Sequence, residues 1–339
     1  MVFYPIASAI IRLNQQITER GEVVLIKERT NMSWLNARRI STFTNDPYAG
    51  NPAWVVISID EPQDEKRLQI LASELNPVSD TVFVFPGTES SDIHLRFFSQ
   101  SEEINFSGHG TIAAYHALEP EGLINFTEPI TLVRQKTKTG IQHIELRVKD
   151  KKIERVTVSL PMPQFISMPL EVKSIATFLG ISPIDILDAA HPIGVVALSG
   201  CSNIIVPVKS CNFLLNIEPN FRLMKDYCDR FHLTEVVVYC LDTMDKDNTA
   251  HIRHFAPAIG INEDPVSGVG SASLGCYLVQ NRIVSIEEMT RMVMEQGCFM
   301  KRPGIVYTHV YTYKNQILKV SFGGQGVVTF EGQVLLPKG

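Results

Sequence analysis

Two short stretches concentrate the residues that could move protons or hold an anion. The first, Ser107-Gly108-His109-Gly110-Thr111, follows the acidic pair Glu102-Glu103. The second, Ser267-Gly268-Val269-Gly270-Ser271, follows Glu263-Asp264. A helix start leaves backbone N–H groups unpaired and carries partial positive charge, and glycines let a ligand approach it closely. Two such starts facing each other across a cleft would hold an anion, most naturally a carboxylate. The groups beside them able to carry a proton are His109, Asp264, Glu263 and Asp80, the last of which closes Asn76-Pro77-Val78-Ser79-Asp80. Carboxylate capture plus proton transfer points to chemistry at a carbon near a carboxylate. Expected catalytic residues are therefore Asp80, His109 and Asp264. Expected substrate contacts are Ser107, Gly108, Gly110, Ser267, Gly268 and Val269, the serines reading as helix caps rather than nucleophiles. Glu263 reads as structural, and Asn51-Pro52 as a fixed turn near the cleft. Neither loop fits GxxxxGK[ST] or GxGxxG.

The elements around these loops repeat. Arg96-Phe97-Phe98-Ser99 precedes the first loop and the apolar run IAAYHAL follows it. Arg253-His254-Phe255-Ala256 precedes the second and ASLGCYLV follows it. Strand, acidic turn, glycine-rich cap and buried helix thus occur twice, which predicts two lobes of like topology with the site between them. Strand-like runs rich in Val, Ile, Phe and Thr recur at 53–59, 81–85, 93–98, 141–148, 153–160, 236–241, 252–255, 304–311 and 317–322. Helical patterns are fewer. Residues 64–75 align Leu68, Leu71, Ala72 and Leu75, and residues 285–296 carry a capping-box pattern at Ser285 and Glu288. This predicts an α+β fold with largely antiparallel or mixed sheet, not a doubly wound parallel one. The expected lobes are residues 37–160 and 161–335, the last strands being able to return to the first lobe.

Composition narrows the classes of function. The 339 residues carry 31 Lys plus Arg against 36 Asp plus Glu, a net charge of −5, so no basic face is advertised for nucleic acid. Trp34 and Trp54 form no stacking platform. None of the six cysteines (Cys201, Cys211, Cys228, Cys240, Cys276, Cys298) stands in a CxxC pair, which suits a reducing cytosol and disfavours structural zinc or a disulfide framework. His251 and His254 have HxxH spacing, but on a strand i and i+3 face opposite sides, so no metal site is expected. The longest apolar run, Ile193–Val208, is broken by Ser199, Gly200, Ser202 and Asn203 and is no membrane span. Residues 1–36 read as an N-terminal extension, either with Met32 as the natural start or as a surface helix.

The run Phe43-Thr44-Asn45-Asp46-Pro47-Tyr48-Ala49-Gly50-Asn51-Pro52-Ala53 resembles the N-terminal signature of the phenazine-biosynthesis PhzF-like proteins. So do residues 76–83 (NPVSDTVF), 96–114 (RFFSQSEEINFSGHGTIAA) and 253–278 (RHFAPAIGINEDPVSGVGSASLGCYL). Glu295-Gln296-Gly297 with Arg302-Pro303-Gly304 also fits, in family order. The resemblance implies the diaminopimelate-epimerase-like fold, in which each of two pseudo-symmetric lobes wraps a sheet around a central helix, here residues 111–118 and 271–279. It implies isomerisation by a proton shift in a cyclic amino-acid-like acid, without cofactor, in a homodimer. The family's acid–base glutamate falls in an S-E-T type motif, which here reads Ser79-Asp80-Thr81. Asp80 is one methylene shorter, and Val269 stands where many members carry a small polar residue; both departures bear on the substrate. Racemases of the wider superfamily use two cysteine thiols at places occupied here by Ser107 and Ser267, which disfavours a two-thiol racemase. An epimerase, racemase or dehydratase of the same superfamily, and a non-catalytic metabolite-binding protein on the same fold, are the competing readings.

Overall fold

Two helices that are apolar on all sides have to be buried on all sides, and they organise the molecule. In the computed structural model, every residue from Gly110 to Leu118 of helix α2 (Gly108–Leu118) is buried. Helix α6 (Gly268–Gln280) is buried throughout except at Val269 and Gln280. Small residues let strands close on them: a Cβ on Gly275 would come within 2.7 Å of the Thr308 side chain. The structure describes residues 34–58, 64–75, 79–122, 124–186 and 191–337, with the backbone of 13–17 and 23–27.

Around α2 run β3 (Trp34–Thr42), β4 (Asn51–Ile57), β5 (Thr81–Thr88), β6 (Ser91–Phe98), the short β7 (Glu103–Ile104), β8 (Ile130–Thr137), β9 (Gly140–Lys149) and β10 (Lys152–Leu160). Around α6 run β12 (Gly194–Leu198), β13 (Cys201–Pro207), β14 (Glu235–Cys240), β15 (Ala250–Ala256), the short β16 (Ile261–Asp264), β17 (Met289–Gln296), β18 (Gly304–Tyr313) and β19 (Gln316–Gly324). The first set pairs in the order β3-β4-β5-β6-β8-β9-β10, with β7 also on β6. The second pairs as β12-β13-β14-β15-β17-β18-β19, with β16 also on β15. Parallel and antiparallel pairings match position by position, so the repeat seen in sequence is a repeat of topology. The sheets join where β10 pairs with β19. Each then receives an edge strand from across the junction: β11 (Gln164–Ile166), which follows β10, pairs with β12, and β20 (Gly326–Leu335), which follows β19, pairs with β3.

Further helices cover the outer faces. α1 (Glu65–Leu75) buries Leu68, Leu71 and Ala72 against Val56, Phe83 and Phe98. α3 (Val172–Leu179) and α5 (Phe221–Phe231) bury Ile175, Phe178, Met224 and Tyr227 against Val236, Val238 and Phe255; a single turn, α4 (Cys211–Leu215), adds Leu214. Among the described residues no helix is long and apolar enough to cross a membrane. The apolar run 193–208 is the hairpin β12–β13, turned at Ser199 and Gly200, both with positive φ.

Two local expectations need correction. Residues 285–296 are not a helix. Met289–Gln296 is a strand whose Thr290, Met292 and Met294 are buried in alternation, held between β15 and β18. The Glu288 carbonyl accepts from the Thr312 amide, so the suspected capping box is a turn. Met and Glu favour helix only weakly, and tertiary pairing overrides that preference. At the N-terminal end, the surface-helix alternative does not hold where the chain is described: β1 (Leu13–Ile17) and β2 (Val23–Lys27) pair antiparallel, as β-branched Val23, Val24 and Ile26 favour. The remainder of residues 1–33 lies outside the described residues, as do residues 76–78 of the NPVSDTVF stretch.

Candidate active site

Both glycine-rich loops are helix starts of the same construction. Ser107 caps α2, its Oγ accepting from the Gly110 amide at 3.1 Å, and Ser267 caps α6, its Oγ accepting from the Gly270 amide at 3.0 Å. The Thr111 and Ser271 amides donate to the carbonyls of the same serines. Among the described residues this leaves the amides of Gly108, His109, Gly268 and Val269 without an intramolecular partner, at the positive ends of two buried helices.

One aromatic ring accounts for both leading glycines. A Cβ on Gly108 would lie 2.7 Å from Phe322 Cζ, and one on Gly268 would run into the edge of the same ring. Phe322 is fully buried on β19, opposite Val158 of β10, and so wedges between the two helix starts at the junction of the sheets. Gly110 is held as closely, between Val82 and the Ser107 side chain. Val269 is partly buried and packs on the main core.

Asp80 lies immediately before β5, and its carbonyl accepts from the Trp54 amide. Its carboxylate Oδ2 is 3.6 Å from His109 Nε2. Ser79 Oγ donates to the Pro52 carbonyl at 2.5 Å and lies 3.2 Å from the same imidazole nitrogen. With the hydroxyl proton committed to Pro52, Nε2 must be the donor in that contact, which assigns the Nε2–H tautomer to a neutral His109. Its Nδ1 then faces Ser107 Oγ at 3.5 Å.

Asp264 comes from the other lobe. Asn51, at the start of β4, reaches across and donates from Nδ2 to Asp264 Oδ1 at 2.7 Å and to the Val266 carbonyl at 2.9 Å. Gln296 braces the loop from below, donating to the Asp264 carbonyl and accepting from the Ser267 amide. Burial alone would push the Asp264 carboxyl up. The hydrogen bond and charge of His254, the charge of His109 and the Val266 amide outweigh it and hold the carboxyl below its ordinary value. His109 therefore stands within electrostatic reach of one carboxylate from each lobe. The side chains of Asp80, His109 and Asp264 keep 14, 16 and 17% of their exposure, so none of the three is sealed in the core.

The acids next in the chain have other work. Glu103 closes a two-pronged ion pair on Arg96, and Glu263 does the same on Arg253, so these are matched struts of the two lobes. His251 and His254 point into different clusters, His251 to Glu295 at 3.2 Å and His254 to Glu235 at 3.2 Å. Cys276 is core, its thiol pushed up to about 12 by burial. Sequence reasoning missed Ser79, Gln296, Glu235 and Phe322 as parts of the site and gave Asn51 only an architectural place. Gln296 and Asn51 lie inside motifs already noticed; Phe322 and Glu235 carry no local signal, since only strand pairing brings them in.

Residues 40–332 match the family described as phenazine biosynthesis-like protein. An uncharacterized isomerase of Clostridium acetobutylicum is 30% identical, the match covering 89% of this chain and 98% of that protein. A trans-2,3-dihydro-3-hydroxyanthranilate isomerase of Pseudomonas aeruginosa is 25% identical over 88% of this chain and 98% of its own length. Among solved structures, a PhzF-family phenazine biosynthesis protein of Bacillus anthracis superposes with a TM-score of 0.81 at 28% identity, covering 89% of this chain and 99% of that one. The fold is the diaminopimelate-epimerase-like one, with two pseudo-symmetric lobes around central helices.

Proposed function

Because the chain belongs to the phenazine biosynthesis-like protein family, we propose that it is an isomerase that shifts a proton within a small, amino-acid-like carboxylic acid bound between the lobes. The observation that carries this reading is the convergence of Asp80 and Asp264, from opposite lobes, on His109 at two capped helix starts. The free amides of Gly108, His109, Gly268 and Val269 supply the substrate carboxylate with donors, and the helix ends favour negative charge that develops as a neighbouring carbon loses its proton. Asp80 has no close hydrogen-bond donor of its own among the described residues, so its carboxylate is free to take that proton and return it elsewhere on the same molecule. His109 flanks the transfer, and Asp264 orients the bound acid. The proton leaves and returns, so the scheme invokes no cofactor or metal. Ser107 and Ser267 spend their oxygens on helix caps and offer no second base for stereoinversion by a thiol-like pair.

The test is solvent exchange. Incubated in D2O with trans-2,3-dihydro-3-hydroxyanthranilate, the compound in the name of the P. aeruginosa relative, or with a panel of amino-acid-like acids, the protein should place deuterium on carbon in at least one of them. Asp80→Ala and Asp80→Asn should lower that rate by about 10²–10⁴-fold, the usual weight of a general acid–base group, while Asp80→Glu keeps most of it. Exchange that persists in both truncations would remove Asp80 from the mechanism.

A further inference from the structure

The matched pairings of the two lobes allow each site position to be compared with its counterpart. Thr81 stands opposite Phe98 on β5–β6, and Val236 stands opposite Phe255 on β14–β15. Phe98 and Phe255 correspond, each lying beneath the arginine two residues before it. The counterpart of Asp80 is therefore Glu235. By the same step, the apolar pair Phe97–Ile104 on β6–β7 corresponds to the pair His254–Asp264 on β15–β16. One lobe fills this place with hydrocarbon and the other with a row of ionisable groups.

That row is buried and closely held. His254 is 2% and Glu235 5% exposed. Glu235 Oε2 lies 3.2 Å from His254 Nε2, and Asp264 Oδ2 lies 3.7 Å from His254 Nδ1, which has no nearer partner. Gly270 of α6 confines the ring from above, since a Cβ there would be 3.1 Å from Cδ2. A neutral imidazole would turn one bare nitrogen lone pair toward a carboxylate; with a carboxylate on each side, only the doubly protonated ring satisfies both. The other groups near the row are the Cys201 thiol on β13, beside Glu235, and His109 on α2, whose charge reaches Asp264; Asn51 from β4 is neutral.

We propose that Glu235 and His254 are positioning residues that fix Asp264 as a permanent anion in the cleft. Of the two carboxylates within electrostatic reach of His109, Asp80 alone then exchanges protons. The division of labour between the acids rests on the isomerase reading above; the fixed charge of Asp264 does not. The electrostatics agree: burial by itself would push His254 down, but Glu235 and Asp264 outweigh it and raise the imidazole to about 10.

The experiment is a titration of the full chain followed by NMR of histidine ring ¹⁵N and aspartate carboxyl ¹³C. In the unaltered protein His254 should be doubly protonated at pH 7.5. In Glu235→Gln its midpoint should fall by about one pH unit or more, as expected when one of two flanking charges is removed. In His254→Phe, which installs the residue found in the other lobe, the Asp264 midpoint should rise by a similar amount while that of Asp80 stays in place. A neutral His254 at pH 7.5, or an Asp264 midpoint unmoved by His254→Phe, would overturn the proposal. The unaltered protein and Glu235→Gln decide the matter if His254→Phe fails to fold. Absence of deuterium exchange in the wild type would sink the isomerase reading and leave these midpoints as they are.

Discussion

His109 shows how little of a site is fixed by residue type and how much by its neighbours. The imidazole is legible in the sequence as a proton-handling group, but its tautomer follows from Ser79 and Pro52, which sit on a different loop. Asp80 and Asp264 are equally legible, because both lie in motifs beside glycine-rich loops. Glu235 is not: it is one acid among 36 acidic residues until the register of β14 against β15 places it against His254. The buried row also has a consequence for stability. His254 is raised from its ordinary 6.5 to about 10, so its contribution is complete below pH 6.5 and is lost as pH rises toward 10. Asp264 is depressed, so its contribution is present above its ordinary 3.8 and is lost as pH falls below it. The urea midpoint of the wild type should therefore fall between pH 6.5 and 10 by more than that of His254→Phe, and equal slopes in the two proteins would contradict the ionic assignment.

At the scale of elements, the apolar runs behind the two loops were sufficient to identify α2 and α6, since a helix without a polar face has only one place to go. The same reasoning failed at β17, where residues with mild helix preference are claimed by strands on either side. It also passed over α3 and α5, although Met224, Tyr227 and Cys228 of α5 fall at helical spacing behind the cap Asn220. Strong β-like runs drew attention, and short amphipathic helices between them did not. The meeting of α2 and α6 on Phe322 gives the elements a measurable dependence. Gly268→Ala drives a methyl group into the ring and should cost about 1–3 kcal/mol, as overpacking does. Phe322→Ala empties the wedge and should cost about 3–5 kcal/mol. Urea denaturation reads both, and a Gly268→Ala protein as stable as wild type would show that the ring is free to move.

For the whole molecule, the repeat was legible, and the sequence left room for the last strands to return to the first lobe, but which strands would pair at the two edges was not legible, because β11 and β20 are ordinary extended segments. The lobes are further tied by Arg302, which donates to the carbonyls of Ala49 and Gly50 across the cleft, and by the Gly50 amide, which donates to the Pro303 carbonyl. Gly50 has φ +57°, and a Cβ there would meet the Thr42 carbonyl, so this crossing needs glycine. Such mutual ties predict a single unfolding transition. Phe178→Ala, in the outer core of the α6 lobe, should lower the denaturation midpoint reported by Trp34 and Trp54, which both lie in the other lobe, with a loss of about 3–5 kcal/mol. Tryptophan fluorescence that kept its wild-type midpoint would mean that the lobes unfold separately. The exchanged strand also sets an order of events during synthesis. As the polypeptide emerges from the ribosome, β3 through β10 are complete long before residues 326–335 that flank β3 have been made, and Phe322 is absent for nearly as long. The α2 half must wait with both sheet edges, β3 and β10, open and its helix start unsupported, so the cleft is assembled last, only after the opposite half has been translated.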